Sequence, residues 1–147
     1  MKETVLCYLE KDGKYLMLFR NKKENDINEG KYIGIGGHIE PNETKEQAVI
    51  REVKEETGLD VLEYEYFGKV FFKDDDFEEN MFLFTISKFS GELIECNEGE
   101  LHWIEKDKIL DVPHWEGDKY FLEKIKNNER GFEMSLIYSK GKLIRVI

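Results

Sequence analysis

The apolar residues near the start of the chain fall into two short strand-favouring runs, 4–9 and 15–19, separated by the polar Lys11-Asp12-Gly13. An Asp-Gly pair between two such runs is typical of a tight turn, so the pattern predicts a β-hairpin. The polar segment 21–31 predicts a loop. The apolar run 32–35 predicts a short strand leading into Gly36-Gly37, where the backbone can turn close to a ligand.

The next segment has the period of an amphipathic helix, predicted over 42–57. Its apolar stripe is formed by Ala48, Val49 and Val53, which can dock on a sheet. Thr44 with Gln47 three residues later matches a capping box at the start. Gly58 provides the left-handed stop that commonly ends a helix.

Strand-favouring runs dominate the remainder of the chain, interrupted by a second amphipathic helix predicted over 119–127. The strands are predicted at 61–72, 81–88, 101–104, 133–138 and 142–147. No repeat, low-complexity tract or break in composition divides the chain, so we expect one domain over 1–147. Strands mixed with two principal helices predict an α+β fold.

Composition limits the partners. The chain has 147 residues, 40% of them hydrophobic, which favours a globular fold, and a formal net charge of −10. That charge disfavours nucleic acid, whose binding relies on Lys and Arg, but a bound metal can still attract a small anionic ligand. Cys7 and Cys96 have no metal-ligand spacing. With no signal-peptide pattern and no apolar run of about 18 residues, we expect a cytoplasmic protein without membrane partners.

Three carboxylates stand out in the first predicted helix. Glu52, Glu55 and Glu56 have spacings i, i+3 and i+4, which place them within an arc of about 100°. Like charges at these spacings destabilise a helix, whereas Mg²⁺ prefers oxygen ligands of this kind. The alternative is a solvated, charged surface helix.

The segment from Gly37 to Leu59 resembles the Nudix box in every specified position. These positions are Gly37, Glu43, Arg51, Glu52, Val53, Glu55, Glu56, Gly58 and Leu59. The resemblance implies an α/β/α sandwich, a mixed sheet between helices with the box as loop-helix-loop. It also implies a hydrolase that cleaves pyrophosphate bonds with Mg²⁺ as cofactor and Mn²⁺ as the alternative.

The resemblance assigns roles to the box residues. Glu52, Glu55 and Glu56 would act in catalysis and hold the metal, joined by a backbone carbonyl near Gly36 or Gly37, with Gly37 the expected ligand. Arg51 is expected among the catalytic residues as well. It cannot ligate a metal, but its guanidinium can form two hydrogen bonds to Glu43 across the loop-helix junction, so Glu43 would be a structural support. The family often adds an acid from a loop outside the box. Glu98 is the expected one and Glu100 the alternative.

Beyond the box, segments 30–37 and 112–121 resemble the MutT-type enzymes and the oxidised-purine nucleoside triphosphatases. The resemblance implies that Trp115 stacks on a purine, that Asp118 bonds its Watson–Crick edge, and that Ile33 and Gly36 also contact substrate. A protonated Asp118 in an apolar pocket could donate to the purine carbonyl. The chain departs from the mammalian oxidised-purine nucleoside triphosphatase in two places. It has the apolar Ile33 where that enzyme has Asn, and Gly117-Asp118 where that enzyme has paired acids.

The expected activity is therefore hydrolysis of 8-oxo-dGTP to 8-oxo-dGMP and pyrophosphate, by a monomer or homodimer acting on a small-molecule nucleotide. Two alternatives stay open. The substrate could be a normal dNTP, ADP-ribose or a dinucleoside polyphosphate. A non-catalytic nucleotide-sensing module is the other, although such domains usually lose box carboxylates.

Overall fold

The computed structural model describes residues 1–147 and contains nine strands in one sheet. The strands are β1 (Lys2–Lys11), β2 (Lys14–Arg20), β3 (Tyr32–Ile33), β4 (Ile35–His38), β5 (Asp60–Asp74), β6 (Phe77–Ser90), β7 (Gly99–Glu105), β8 (Phe132–Ser139) and β9 (Lys142–Val146). The main path through the sheet is β3-β2-β1-β6-β5-β8-β9, with β4 paired to β1 and β7 to β2. The interior strand β1 runs parallel to β6 on one side and antiparallel to β4 on the other, and its far end forms the hairpin with β2.

The predicted strand over 32–35 is divided at Gly34. Its first part, β3, pairs with β2, and its continuation, β4, pairs with β1. The backbones of β4 and β1 approach so closely that a Cβ atom on Gly36 would lie 1.8 Å from the Val5 carbonyl oxygen. Only glycine fits at that position, which brings the start of the box directly beside β1.

The first helix, α1 (Lys45–Thr57), begins three residues later than predicted. Asn42 has φ of 66°, a left-handed conformation that a helix cannot continue through. The capping box is present, with Gln47 N–H donating to Thr44 Oγ1 and Thr44 N–H donating to Gln47 Oε1. Gly58 ends the helix with φ of 81°.

The predicted α/β/α sandwich is confirmed, because the two helices cover opposite faces of the sheet. α1 contributes Ala48, Val49 and Val53 to one apolar cluster, and α2 (Asp118–Lys126) contributes Phe121 and Ile125 to the other. Alternate side chains of β1 point to the two faces of the sheet. The face under α1 receives Val5, Cys7 and Leu9; the face under α2 receives Tyr8.

The remaining elements follow the predicted order, and every remaining strand except β9, which ends one residue early, is longer than predicted. β5 and β6 extend beyond the apolar runs that predicted them, and a 3₁₀ helix (Lys106–Asp111) that was not predicted follows β7. Cys7 and Cys96 are buried free thiols. None of the helices has the length and apolar character needed to cross a membrane.

Candidate active site

Two of the three clustered carboxylates of α1 face the glycine-rich strand β4. Glu56 is buried, and its Oε2 accepts a hydrogen bond of 3.3 Å from the Gly36 N–H. The Glu52 carboxylate fills the space next to Gly37, where an added Cβ would lie 2.6 Å from it. Glu55 extends further into solvent, with 60% of its side chain exposed. Gly37 thus leaves room for the Glu52 carboxylate, which a larger residue would displace.

Arg51 joins α1 to the loop that precedes it. Its Nε donates to Glu43 Oε2 at 2.7 Å and its Nη2 donates to Glu43 Oε1 at 2.9 Å, so the predicted two-bond contact is present. Nη2 also donates to the His38 carbonyl oxygen. The guanidinium holds the pKa of Glu43 down at about 2. Such a bidentate pair sets the geometry of both partners.

The remaining nitrogen of Arg51 bridges two members of the acidic cluster. Nη1 donates to Glu52 Oε1 at 2.8 Å and to Glu55 Oε2 at 3.2 Å. Glu56 is turned towards Gly36. No group of three acidic, histidine or cysteine side chains is arranged to hold a metal ion without some movement. A cation would therefore compete with Arg51 for these carboxylates.

Glu98, from the loop before β7, reaches the acidic cluster across the fold. Burial is the main cause that raises the pKa of Glu56 to about 9. The negative charge of Glu98, a hydrogen bond between Glu56 and Glu98, and the negative charge of Glu52 also raise this pKa. Glu98 is itself held by Arg20, whose Nη1 lies 3.3 Å from Glu98 Oε2. Negative charge confined this closely is what a divalent cation would relieve, and carboxylate oxygens are the donors that Mg²⁺ or Mn²⁺ accepts. The donor set therefore fits the expected metal.

Glu100, the alternative to Glu98, points elsewhere. Its carboxylate accepts a hydrogen bond from Asn21 Nδ2 at 2.7 Å and lies 3.2 Å from His102 Nε2. These partners hold it on the exposed side of β7. The structure brings Glu98, and not Glu100, to the box carboxylates.

A cavity of about 670 Å³ extends from the acidic face of α1 to Trp115 and Asp118. This volume is in the usual range for small-molecule sites. The cavity is lined by all the residues expected to act in catalysis, to bind the metal or to contact the substrate: Ile33, Gly36, Gly37, Arg51, Glu52, Glu55, Glu56, Glu98, Trp115 and Asp118. Glu43 lies outside it, as expected of a supporting residue.

Trp115 is more enclosed than a free stacking surface would be. Only 6% of it is exposed, and it packs edge to face with Phe72 and Tyr138 at centroid distances of 5.0 Å each. Its Nε1–H donates to Asn28 Oδ1 at 2.8 Å. The Lys31 ammonium lies 4.4 Å from the ring centroid, a cation–π contact. A base that stacks on this indole has to replace that ammonium group.

Asp118 opens α2 and borders the same part of the cavity. Burial raises the pKa of its carboxyl to about 8, opposed by a hydrogen bond from the Trp115 backbone and by the charge of Lys31. At neutral pH the carboxyl is therefore largely protonated and able to donate a hydrogen bond.

Sequence reasoning did not single out Arg20, Asp26 or Glu79, which also line the cavity. Arg20 and Asp26 form an ion pair of 2.7 Å in which both side chains are almost fully buried. No local pattern indicates that pair. Glu79 of β6 also lines the cavity, and here a signal existed, because it interrupts an apolar alternation between Phe77 and Met81.

The sequence model of the NUDIX domain matches residues 2–125 of this chain. The chain is 32% identical to an uncharacterized Nudix hydrolase, YvcI, of Bacillus subtilis over 84% of this chain and 78% of that protein. It is 34% identical to the oxidized purine nucleoside triphosphate hydrolase of Danio rerio over 80% of this chain and 74% of that protein. The crystal structure of the MutT protein of Bacillus halodurans superposes with a TM-score of 0.88 at 25% identity, covering 100% of this chain and 97% of that one. The chain belongs to the Nudix hydrolase family.

Proposed function

We propose that this protein is a Mg²⁺-dependent nucleoside triphosphate pyrophosphohydrolase that converts 8-oxo-dGTP to 8-oxo-dGMP and pyrophosphate. The observation that carries the proposal is the shared cavity, in which the carboxylates of α1 and the Trp115–Asp118 segment face the same space. A nucleotide spans such a site with its phosphates at one end and its base at the other. The similarity to an oxidized purine nucleoside triphosphate hydrolase supports the same reading.

At the phosphate end, Glu52, Glu55, Glu56 and Glu98 would hold the cation. When bound, Mg²⁺ supplies charge neutralisation along the polyphosphate and a template for in-line attack by water. Arg51 orients the carboxylates through its bonds to Glu52 and Glu55, and Glu43 fixes Arg51 in turn. Outer partners of this kind matter nearly as much as the ligands that they orient.

At the base end, the indole of Trp115 provides the aromatic face and a protonated Asp118 provides a donor for a purine carbonyl. The base takes the place of the Lys31 ammonium above the ring. That ammonium is then released to move towards the phosphates or solvent. Ile33 contributes an apolar wall of the cavity.

A second candidate keeps the reaction and changes the base. Ile33 is apolar and Gly117 has no side chain, so Asp118 is the only acid at the two positions 117 and 118. Apolar contacts discriminate between ligands by only about 1–3 kcal/mol. Normal nucleoside triphosphates would then be hydrolysed at rates comparable with 8-oxo-dGTP.

The test is a product-resolved assay with and without Mg²⁺, using 8-oxo-dGTP, the four normal dNTPs, ADP-ribose and a dinucleoside polyphosphate at equal concentration. We expect Mg²⁺-dependent release of pyrophosphate and monophosphate, with 8-oxo-dGTP the best substrate. Faster hydrolysis of ADP-ribose or the dinucleotide would overturn the substrate class. Nucleotide binding by calorimetry without any product would instead favour a sensing module.

A further inference from the structure

Glu79 is a charged residue on an apolar face. Along β6 the side chains of Phe77, Met81 and Leu83 join the cluster under α2, and Glu79 shares their side of the strand because alternate residues point the same way. In the sheet it lies directly opposite Phe72, whose ring packs on Trp115. The carboxylate is therefore directed to the base end of the cavity, which it lines.

This carboxylate has no protein partner. Its neighbour Glu78, on the other side of the strand, pairs with Lys73 Nζ at 3.2 Å, whereas Glu79 forms neither a hydrogen bond nor an ion pair. No fully buried side-chain oxygen in the protein lacks a partner, so the Glu79 oxygens remain accessible from the cavity. An unpaired acid held in an apolar wall is costly for the fold. A ligand that supplies N–H donors would offset this cost.

Resting on the proposed function, we propose that Glu79 is a specificity-determining residue that accepts N–H hydrogen bonds from the substrate's base and selects bases carrying an exocyclic amino group. Burial raises the pKa of Glu79 to about 7, opposed by the charge of Lys2, so an ionised acceptor is accessible at neutral pH. Charge-assisted hydrogen bonds of this kind are stronger than neutral ones.

Asp118 and Glu79 have complementary capacities. A protonated Asp118 donates to a carbonyl, and an ionised Glu79 accepts from amino or ring N–H groups. A guanine edge presents a carbonyl beside N–H donors, and cytosine also carries both groups. Hypoxanthine has a hydrogen in place of the 2-amino group of guanine, and uracil has a carbonyl in place of the 4-amino group of cytosine. These bases offer Glu79 no amino donor and are disfavoured.

The experiment compares substrates that differ by one amino group. Values of kcat/KM are measured for dGTP against dITP and for dCTP against dUTP, with the wild type, Glu79→Met and the matched control Glu78→Gln. We expect the wild type to prefer the amino-bearing member of at least one pair by about tenfold or more. In Glu79→Met that ratio should fall close to one, and in Glu78→Gln it should be unchanged.

If Glu79→Met does not fold, the isosteric Glu79→Gln is used, and its ratio must also fall because its acceptor is uncharged. A wild-type ratio near one for both pairs, or an unchanged ratio in the Glu79 variant, overturns the proposal. The same variants are titrated calorimetrically with dGMP, dIMP, dCMP and dUMP. This measurement tests Glu79 even if no triphosphate is hydrolysed, an outcome that would overturn the proposed function alone.

Discussion

Arg20 and Asp26 form an ion pair of 2.7 Å that anchors the loop between β2 and β3, with 9% and 5% of their side chains exposed. Asp26 Oδ1 also accepts the Asn28 N–H, and Asn28 in turn accepts the Trp115 indole N–H. The other side of Arg20 reaches Glu98. A single loop therefore links the acidic end of the cavity, at Glu98, to its other end, at Trp115.

Removing one partner of this pair should destabilise the protein. We expect Asp26→Ala to lower the free energy of unfolding by about 3 kcal/mol, because it leaves the buried Arg20 guanidinium with only the more distant Glu98. Urea denaturation measures the loss. Glu24→Ala, at an exposed position of the same loop, should change stability little. Equal effects of the two substitutions would contradict the buried ion pair.

Glu43 acts through Arg51, so its loss should weaken the site without removing a ligand. We expect Glu43→Gln to lower kcat/KM by about 10–100-fold, the usual effect of disturbing an outer partner of a metal ligand. The Mg²⁺ concentration needed for half-maximal rate should rise in parallel. Glu46→Gln, on the first turn of α1 and paired only with Lys45, is the control. A Glu43 variant with wild-type Mg²⁺ dependence would refute the supporting role.

Glu56 should be needed for metal binding and not for folding. Glu56→Gln keeps the size of the buried side chain and its capacity to accept the Gly36 N–H, but it cannot release a proton to become the negatively charged ligand that a cation requires. We expect kcat to fall by about 100-fold or more. Calorimetric titration with Mg²⁺ should show weakened binding, while circular dichroism stays that of the wild type. Unchanged turnover would remove Glu56 from the metal site.

Glu98 and Glu100 give opposite expectations, although they are two residues apart. We expect Glu98→Gln to weaken Mg²⁺ activation at least about tenfold, because its charge lies beside Glu56. Glu100→Gln should leave activity unchanged, since its carboxylate is held by Asn21 and His102. Mg²⁺ titrations of activity for both variants decide the point. The reverse order of effects would restore Glu100 as the loop acid.

The carboxyl of Asp118 should make stability depend on pH. Its pKa in the folded protein, about 8, lies above the ordinary value of 3.8, so between these values the folded protein retains a proton that the unfolded chain has released. Its contribution is fully present below pH 3.8 and is lost as the pH rises through 8, by up to about 1.4 kcal/mol per pH unit.

Asp118→Asn removes this contribution. Urea denaturation between pH 5 and pH 8 should therefore show a flatter decline of the free energy of unfolding in the variant than in the wild type. The difference between the two slopes should correspond to the uptake of about one proton. Asp76→Asn, exposed in the turn between β5 and β6, should leave the wild-type slope unchanged. Identical slopes for wild type and Asp118→Asn would show that the carboxyl is not held protonated.

Local sequence determined the helix cap, the hairpins and the box. Thr44 with Gln47 and Gly58 with its left-handed conformation act over a few residues, so neighbours in the chain were enough to predict the ends of α1, apart from the left-handed Asn42. The contact of Arg51 with Glu43 was also predictable, because the box motif places both groups at one loop-helix junction.

The tertiary structure decided which distant groups meet. The folding of the β7 loop places Glu98, and not Glu100, beside Glu56 of α1. The packing of Phe72, Tyr138 and the loop 21–31 encloses Trp115. Glu79 stands out once its strand lies opposite Phe72 in the sheet. Local periodicity indicates which face of an element is buried, but it does not specify which remote segments cover that face or which charges they bring together.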